Sequence, residues 1–82
     1  MRIGTVTGAV WATKKSPRLA GQILLRVRVD GAELVAADLV GAGVGERVLV
    51  VHGAAARQEC DAPVDTAILA ILDDMEGFDV DR

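Results

Sequence analysis

Gly41-Ala42-Gly43-Val44-Gly45-Glu46-Arg47-Val48-Leu49-Val50-Val51-His52-Gly53-Ala54-Ala55-Ala56-Arg57 is the stretch on which the reading of this chain turns. A glycine turn leads into a strand, Arg47 to His52, with apolar residues on both faces. The strand runs out into a second loop of small residues, 53–57, closed by one arginine. Small residues let backbones approach closely and glycine permits positive φ, which singles out Gly43 and Gly53. A strand without a polar face must be covered on both sides, and a short chain has little material to do this alone. The segment points to assembly before it points to catalysis.

The glycines resemble a phosphate loop only at first sight. The dinucleotide fingerprint needs a third glycine where Glu46 stands, followed by a helix, and here a strand follows. The Gly-Lys-Ser/Thr of a P-loop is also missing. The run 41–45 reads instead as a tight turn or close-contact loop. Arg57 is expected either in solvent, as a cap, or with its rigid fork of donors on carbonyls or a carboxylate of an adjacent subunit.

Working outward, Ile3 to Trp11 alternates as a strand, with Gly4, Val6, Gly8 and Val10 on one face. Its interior glycines suggest a bend or a close backbone approach. Residues 12–20 form a polar, basic loop. Residues 21–29 are a strand with Ile23, Leu25, Val27 and Val29 on one face and Leu24, Arg26 and Arg28 on the other. Asp30-Gly31 supplies the positive-φ pair of a two-residue hairpin, and 32–39 returns as the third strand. Thr66 to Leu72 has the composition of either a helix after Pro63 or a buried strand. Its shortness favours a strand, preceded by a helical turn at 63–65. The expected result is a mainly β fold: a small five-stranded antiparallel barrel over residues 1–74, with an acidic tail at 75–82.

The chain has 82 residues, and one domain of that size buries only about 60–65% of its unfolded surface. Small scaffolds compensate with disulfides, metals or oligomerisation. Cys60 is the single cysteine and His52 the single histidine, so neither a disulfide within the chain nor a His/Cys metal cluster is available. Oligomerisation remains. The chain is 51% hydrophobic but only 2% aromatic, and aliphatic surface of that extent on a small protein marks protein contacts. A net charge of −3 argues against nucleic-acid binding. The N-terminus reads as a strand rather than a signal peptide, no apolar run approaches the roughly 18–20 residues of a membrane span, and a lone cysteine suits a reducing cytoplasm.

Catalytic groups do not assemble. His52 follows an apolar strand with no serine or cysteine beside it to form a nucleophile pair. The late carboxylates Asp61, Asp65, Asp73, Asp74, Glu76, Asp79 and Asp81 lack the spacing and glycine of a calcium loop and read as a solvated acidic terminus. No catalytic, cofactor or metal residues are expected, and the chain is not read as an enzyme.

Taken in order, the motifs resemble the bacterial microcompartment vertex protein family, the pentameric shell subunits of the ethanolamine-utilisation and carboxysome type. The resemblance rests on Ile3-Gly4-x-Val6-x-Gly8-x-Val10, Ala12-Thr13-Lys14-Lys15 with Leu19-Ala20-Gly21, and Asp38-x-Val40-Gly41-Ala42-Gly43 with Val48-Leu49-Val50. It continues through Gly53-Ala54-Ala55-Ala56-Arg57, where Ala54 replaces a serine, and Pro63-Val64-Asp65-x-Ala67 with Ile71-Leu72-Asp73. The connection at Asp30-Gly31 is tighter than in longer members, and the tail is short. The resemblance implies an OB-like barrel that assembles as a homopentamer, fills five-fold vertices among hexameric and pseudohexameric shell proteins, and performs no chemistry. Under it, Gly41, Ala42, Gly43, Gly53, Ala54, Ala55, Ala56 and Arg57 are expected at subunit seams, and Thr13, Lys14 and Lys15 at a shell or pore rim. Two other readings compete: an OB-type nucleic-acid-binding module, and a small enzyme or metal-binding accessory protein using His52, Cys60 and the late carboxylates.

Overall fold

Alternation of apolar and polar residues sets the strands. The computed structural model describes residues 1–73. It contains five strands, β1 (Arg2–Val10), β2 (Leu24–Val29), β3 (Ala32–Asp38), β4 (Arg47–His52) and β5 (Thr66–Leu72), and one α-helix, α1 (Ala54–Cys60). In β2, Leu25, Val27 and Val29 are buried while Arg26 and Arg28 point to solvent. The strand begins later than the expected residue 21, because Gly21 takes a φ of +83° and the Gln22 N–H bonds the Leu19 carbonyl. Turn geometry therefore persists to Gln22, and Ile23, exposed, precedes the strand while its carbonyl still accepts the Asp38 N–H. Asp30 and Gly31 have φ of 51° and 83°, as the two-residue turn requires.

The barrel closes in the order β1-β2-β3-β5-β4. Four seams are antiparallel. The fifth, β3 with β5, is parallel and joins only Ala37 to Ala67 and Asp38 to Ile68. The antiparallel barrel expected from the sequence is thus corrected at one seam. An odd number of strands cannot alternate in direction around a closed ring, so one pair must run parallel. That pair needs a crossover rather than a hairpin, and α1 lies in the connection that supplies it.

α1 replaces the small-residue loop expected at 53–57, and the helical turn expected at 63–65 is absent, the helix lying upstream of Pro63. Gly53 enters the helix with φ 67° and ψ −138°, and Asp61 closes it in the left-handed region. Alanine is the best helix former, yet seven residues are too few to be stable alone. Packing stabilises them: Ala56 and Cys60, one turn apart, are buried against Ala37, Val51, Ala62 and Ala67. Within the barrel a second cluster gathers Val6, Leu25, Val27, Val29, Ala36, Val48, Val50 and Ile68. β4 is therefore covered on its inner face by the barrel and on part of its outer face by the chain's own helix, so the need for a neighbour is smaller than its composition suggests.

Gly4 marks the tightest contact. A Cβ there would sit 2.7 Å from Val27 Cγ1 and 2.9 Å from the Arg28 carbonyl oxygen. On the outer face Glu33 accepts a hydrogen bond from the Thr7 hydroxyl at 2.8 Å and pairs with Arg28 and Arg26, each at 3.1 Å. The Thr7 hydroxyl holds the Glu33 carboxyl below its ordinary range, and Arg28 and Arg26 add to it against a partial desolvation.

Gly4→Ala is expected to destabilise the fold by about 1–3 kcal/mol, the usual cost of overpacking, read from its urea midpoint. Because Glu33 titrates lower folded than unfolded, its contribution is present above the unfolded carboxylate pKa and lost as pH falls through the folded one. Glu33→Gln should therefore be less stable than the parent at pH 7, and the gap should close on acidification.

Candidate subunit interface

The residues expected at seams fall into two groups at opposite ends of β4. Six residues of strand put them about 20 Å apart. β1 is antiparallel to β4 and pairs Thr5 with Arg47, so its far end, and the 12–20 loop beyond it, lie at the same end as the glycine loop. α1 lies at the other end. Both groups belong to one face only through β4 itself.

The glycine loop is stitched by carboxylates. Asp38 Oδ1 accepts from the N–H groups of Val40 and Gly41, both at 3.1 Å, and its Oδ2 accepts from Ala42 at 3.0 Å. Glu46, the residue that disqualifies a phosphate loop, folds its own carboxylate onto the Gly43 N–H at 2.6 Å. The Gly45 N–H donates to the Val6 carbonyl and the Val6 N–H to the Glu46 carbonyl, at 2.8 and 3.0 Å. Positive φ is needed at Gly41 (80°) and Gly45 (90°), not at Gly43, where a Cβ would meet only Glu46 Oε1 at 3.4 Å. The conformational demand placed on Gly43 is therefore corrected to its two neighbours. Every N–H from Val40 to Glu46 except that of Val44 is bonded to Asp38, Glu46, Gly43 or Val6, and Val40 and Val44 project outward, exposed. Ala42 is half-buried against the barrel core.

At the other end, Gly53 does require glycine. Its φ is 67°, its N–H bonds the Asp65 carbonyl at 2.8 Å, and its carbonyl receives the Arg57 N–H. Ala54, Ala55 and Arg57 are exposed on α1, and Thr13, Lys14 and Lys15 are exposed in their loop. Ala56 is fully buried and belongs to the chain's own core, so it is not free to meet a neighbour. His52 faces Thr66, with Nδ1 3.2 Å from the hydroxyl, and its Nε2 is enclosed without a partner among the described residues. Burial, with a smaller effect of Glu59, pushes the Cys60 thiol up, as befits a helix residue of the second core cluster rather than a nucleophile.

One surface was not legible in the sequence. Past the end of β1 lies an apolar groove of about 480 Å³, bordered by Val10, Trp11, Ile23 and Leu24. Trp11 is 90% exposed and Ile23 60%. Strand alternation assigns both to sheet faces; the available signal was the single tryptophan abutting a basic loop. Among the described residues no group of three or more His, Cys, Asp or Glu side chains is placed to hold a metal.

The family model described as ethanolamine utilisation protein EutN/carboxysome matches residues 1–73. The chain belongs to this family. Among EutN/carboxysome proteins, it is 44% identical to the bacterial microcompartment shell vertex protein PduN of Salmonella typhimurium, over 89% of this chain and 96% of that one. It is 46% identical to the carboxysome shell vertex protein CcmL of Synechococcus elongatus, over 89% and 84%. A solved structure, the GrpN pentameric microcompartment shell protein from Rhodospirillum rubrum, superimposes with a TM-score of 0.84 at 39% identity, over 92% of this chain and 96% of that one. The five-stranded barrel is thus the family's fold, with the EutN/carboxysome match running from β1 through the end of β5.

Gly53→Val is expected to destabilise by about 1–3 kcal/mol, the cost of holding a side chain in sparsely populated backbone space. Gly43→Ala should be close to neutral in the same thermal melt. Asp38→Ala, which gives up three hydrogen bonds to a carboxylate at N–H groups that water can partly satisfy, should cost about 1–2 kcal/mol.

Proposed function

We propose that this chain is a structural subunit of a bacterial microcompartment shell, and that five copies form a ring that caps a five-fold vertex. The observation that carries this reading is likeness to proteins named as shell vertex proteins along nearly their whole length, together with the close superposition on a pentameric shell protein. A flat sheet of hexameric tiles cannot close, and five-fold units supply the missing curvature. Hexameric and pseudohexameric shell proteins are then its lateral partners, and its place is the shell within the bacterial cytoplasm.

A ring uses heterologous contacts, in which one patch meets a different patch on the next copy. Two such patches lie at the two ends of β4: the glycine loop with Val40 and Val44, and the exposed Ala54, Ala55 and Arg57 of α1. These are assigned to the seams, and Thr13, Lys14 and Lys15 to the rim. Ala54, where the family motif has serine, offers close contact without a hydroxyl. The role is one of geometry rather than catalysis.

The nucleic-acid reading has less to support it. OB modules that bind single strands stack bases on aromatic side chains in a basic groove. Here Trp11 is the one aromatic residue among those described, and the chain carries a net charge of −3.

Native mass measurement at micromolar concentration tests the proposal. The expected species has five times the 8.6 kDa mass of the chain. A stable monomer overturns it, and salt-sensitive binding of single-stranded DNA would favour the alternative.

A further inference from the structure

Three observations converge on the groove at the end of the β1–β2 hairpin. The first is an open strand edge. β1 pairs with β4 only from Arg2 to Thr5, and Val6 bonds the turn before β4. From Thr7 to Val10 it has a ladder only toward β2 among the described residues. An unpaired edge is a template for an added strand. The second is the groove itself, which shares Val10 with that edge and leaves Trp11 almost wholly in water. The third is charge. Lys15 lines the groove, Lys14 and Arg18 lie in the adjoining loop, and none of the three takes part in a salt bridge with a described residue.

Such a surface fits an extended, acidic segment that presents apolar side chains at alternate positions. Residues 74–82 of this chain read Asp-Met-Glu-Gly-Phe-Asp-Val-Asp-Arg. Phe78 and Val80 alternate with Asp79 and Asp81, so an extended backbone puts the apolar pair on one face and the carboxylates on the other. Four acidic residues stand against one arginine.

The segment's own chain is a poor host. β5 ends at Leu72, opposite Arg47, with β4 between it and Thr5 of β1. Trp11 is six residues further along β1, about 20 Å at the rise of a strand. The six residues from Asp73 to Phe78 span about 20 Å fully extended. Reaching Trp11 from β5 therefore takes the whole length of a fully extended segment, a constraint that a neighbour's segment does not carry.

We propose that residues 74–82 of a neighbouring copy seat in this groove as an added strand along Thr7–Val10, with Phe78 against Trp11 and Ile23 and the carboxylates toward Lys14, Lys15 and Arg18. This rests on the ring proposed above, in which each copy donates one segment and receives one.

Trp11 is the single tryptophan and reports its own burial. The emission of the full chain should lie to the blue of a chain ended after Asp73, with both kept at ring-forming concentration. A synthetic peptide of residues 74–82 should restore the shift to the shortened chain saturably, and its Phe78→Ala version should bind at least about tenfold more weakly, as loss of an aromatic anchor does. Mixing Trp11→Cys chains with Phe78→Cys chains under mild oxidation should give a disulfide between the two. A five-copy species whose tryptophan emission is unchanged by the shortening overturns the groove proposal and leaves the ring standing. A monomer overturns the ring, and the neighbour's segment with it. Cross-linking only when both cysteines are on one chain overturns the assignment to a neighbour.

Discussion

Asp38 is the last residue of β3, and three separate features of the molecule meet in it. Its backbone pairs with Ile68 at the one parallel seam, its N–H bonds the Ile23 carbonyl at 2.8 Å, and its carboxylate gathers three N–H groups of the glycine loop. The barrel closes through only two residue pairs at this seam, so the side chain that turns the chain away from it also ties the seam to β4. A carboxylate accepting several backbone N–H groups is a strong arrangement. It lets a glycine-rich loop hold one shape without a core of its own.

Because Asp38 and Glu46 hold most of that loop's N–H groups, its two valines are free for another purpose. Val40 and Val44 point outward, as do Trp11 and Ile23 beyond the β1–β2 hairpin. The opposite end of β4 is handled differently: α1 closes over Val51 and Ala67 and presents Ala54, Ala55, Arg57, Gln58 and Glu59 to the outside. One strand thus separates a projecting aliphatic end from a helical end that mixes alanines with polar and charged side chains. Two unlike patches on one chain suit contacts that repeat around a ring rather than pair across a two-fold axis.

Much of this architecture was legible in the sequence. The alternation of Leu25, Val27 and Val29 with Arg26 and Arg28, the Asp30-Gly31 turn, and the rejection of a phosphate loop on Glu46 all rest on local chemistry, and the structure agrees with each. At 66–72 the composition allowed a helix or a strand and the shortness of the run favoured the strand, which β5 is. α1 was not legible, because seven residues make barely two turns, too short a stretch to show an amphipathic period, and the helix forms only through its contact with Val51 and Ala67. The conformational role given to Gly43 belongs to Gly41 and Gly45, since glycine content alone does not tell which residue of a turn takes positive φ. Ala56, expected at a seam, faces inward for the same reason that α1 exists.

Sequence alone determined most of the strands, the two-residue hairpin and the family resemblance, because these depend on residue type and on spacing along the chain. Tertiary structure decided which seam runs parallel, that a helix covers part of the outer face of β4, that Asp38 and Glu46 bind the loop that follows β3, and that Trp11 and Ile23 are exposed beside a strand edge with no partner among the described residues. Closure of five strands is a property of the whole ring. Neither the odd pair nor the surface left over after closure can be read from any one segment.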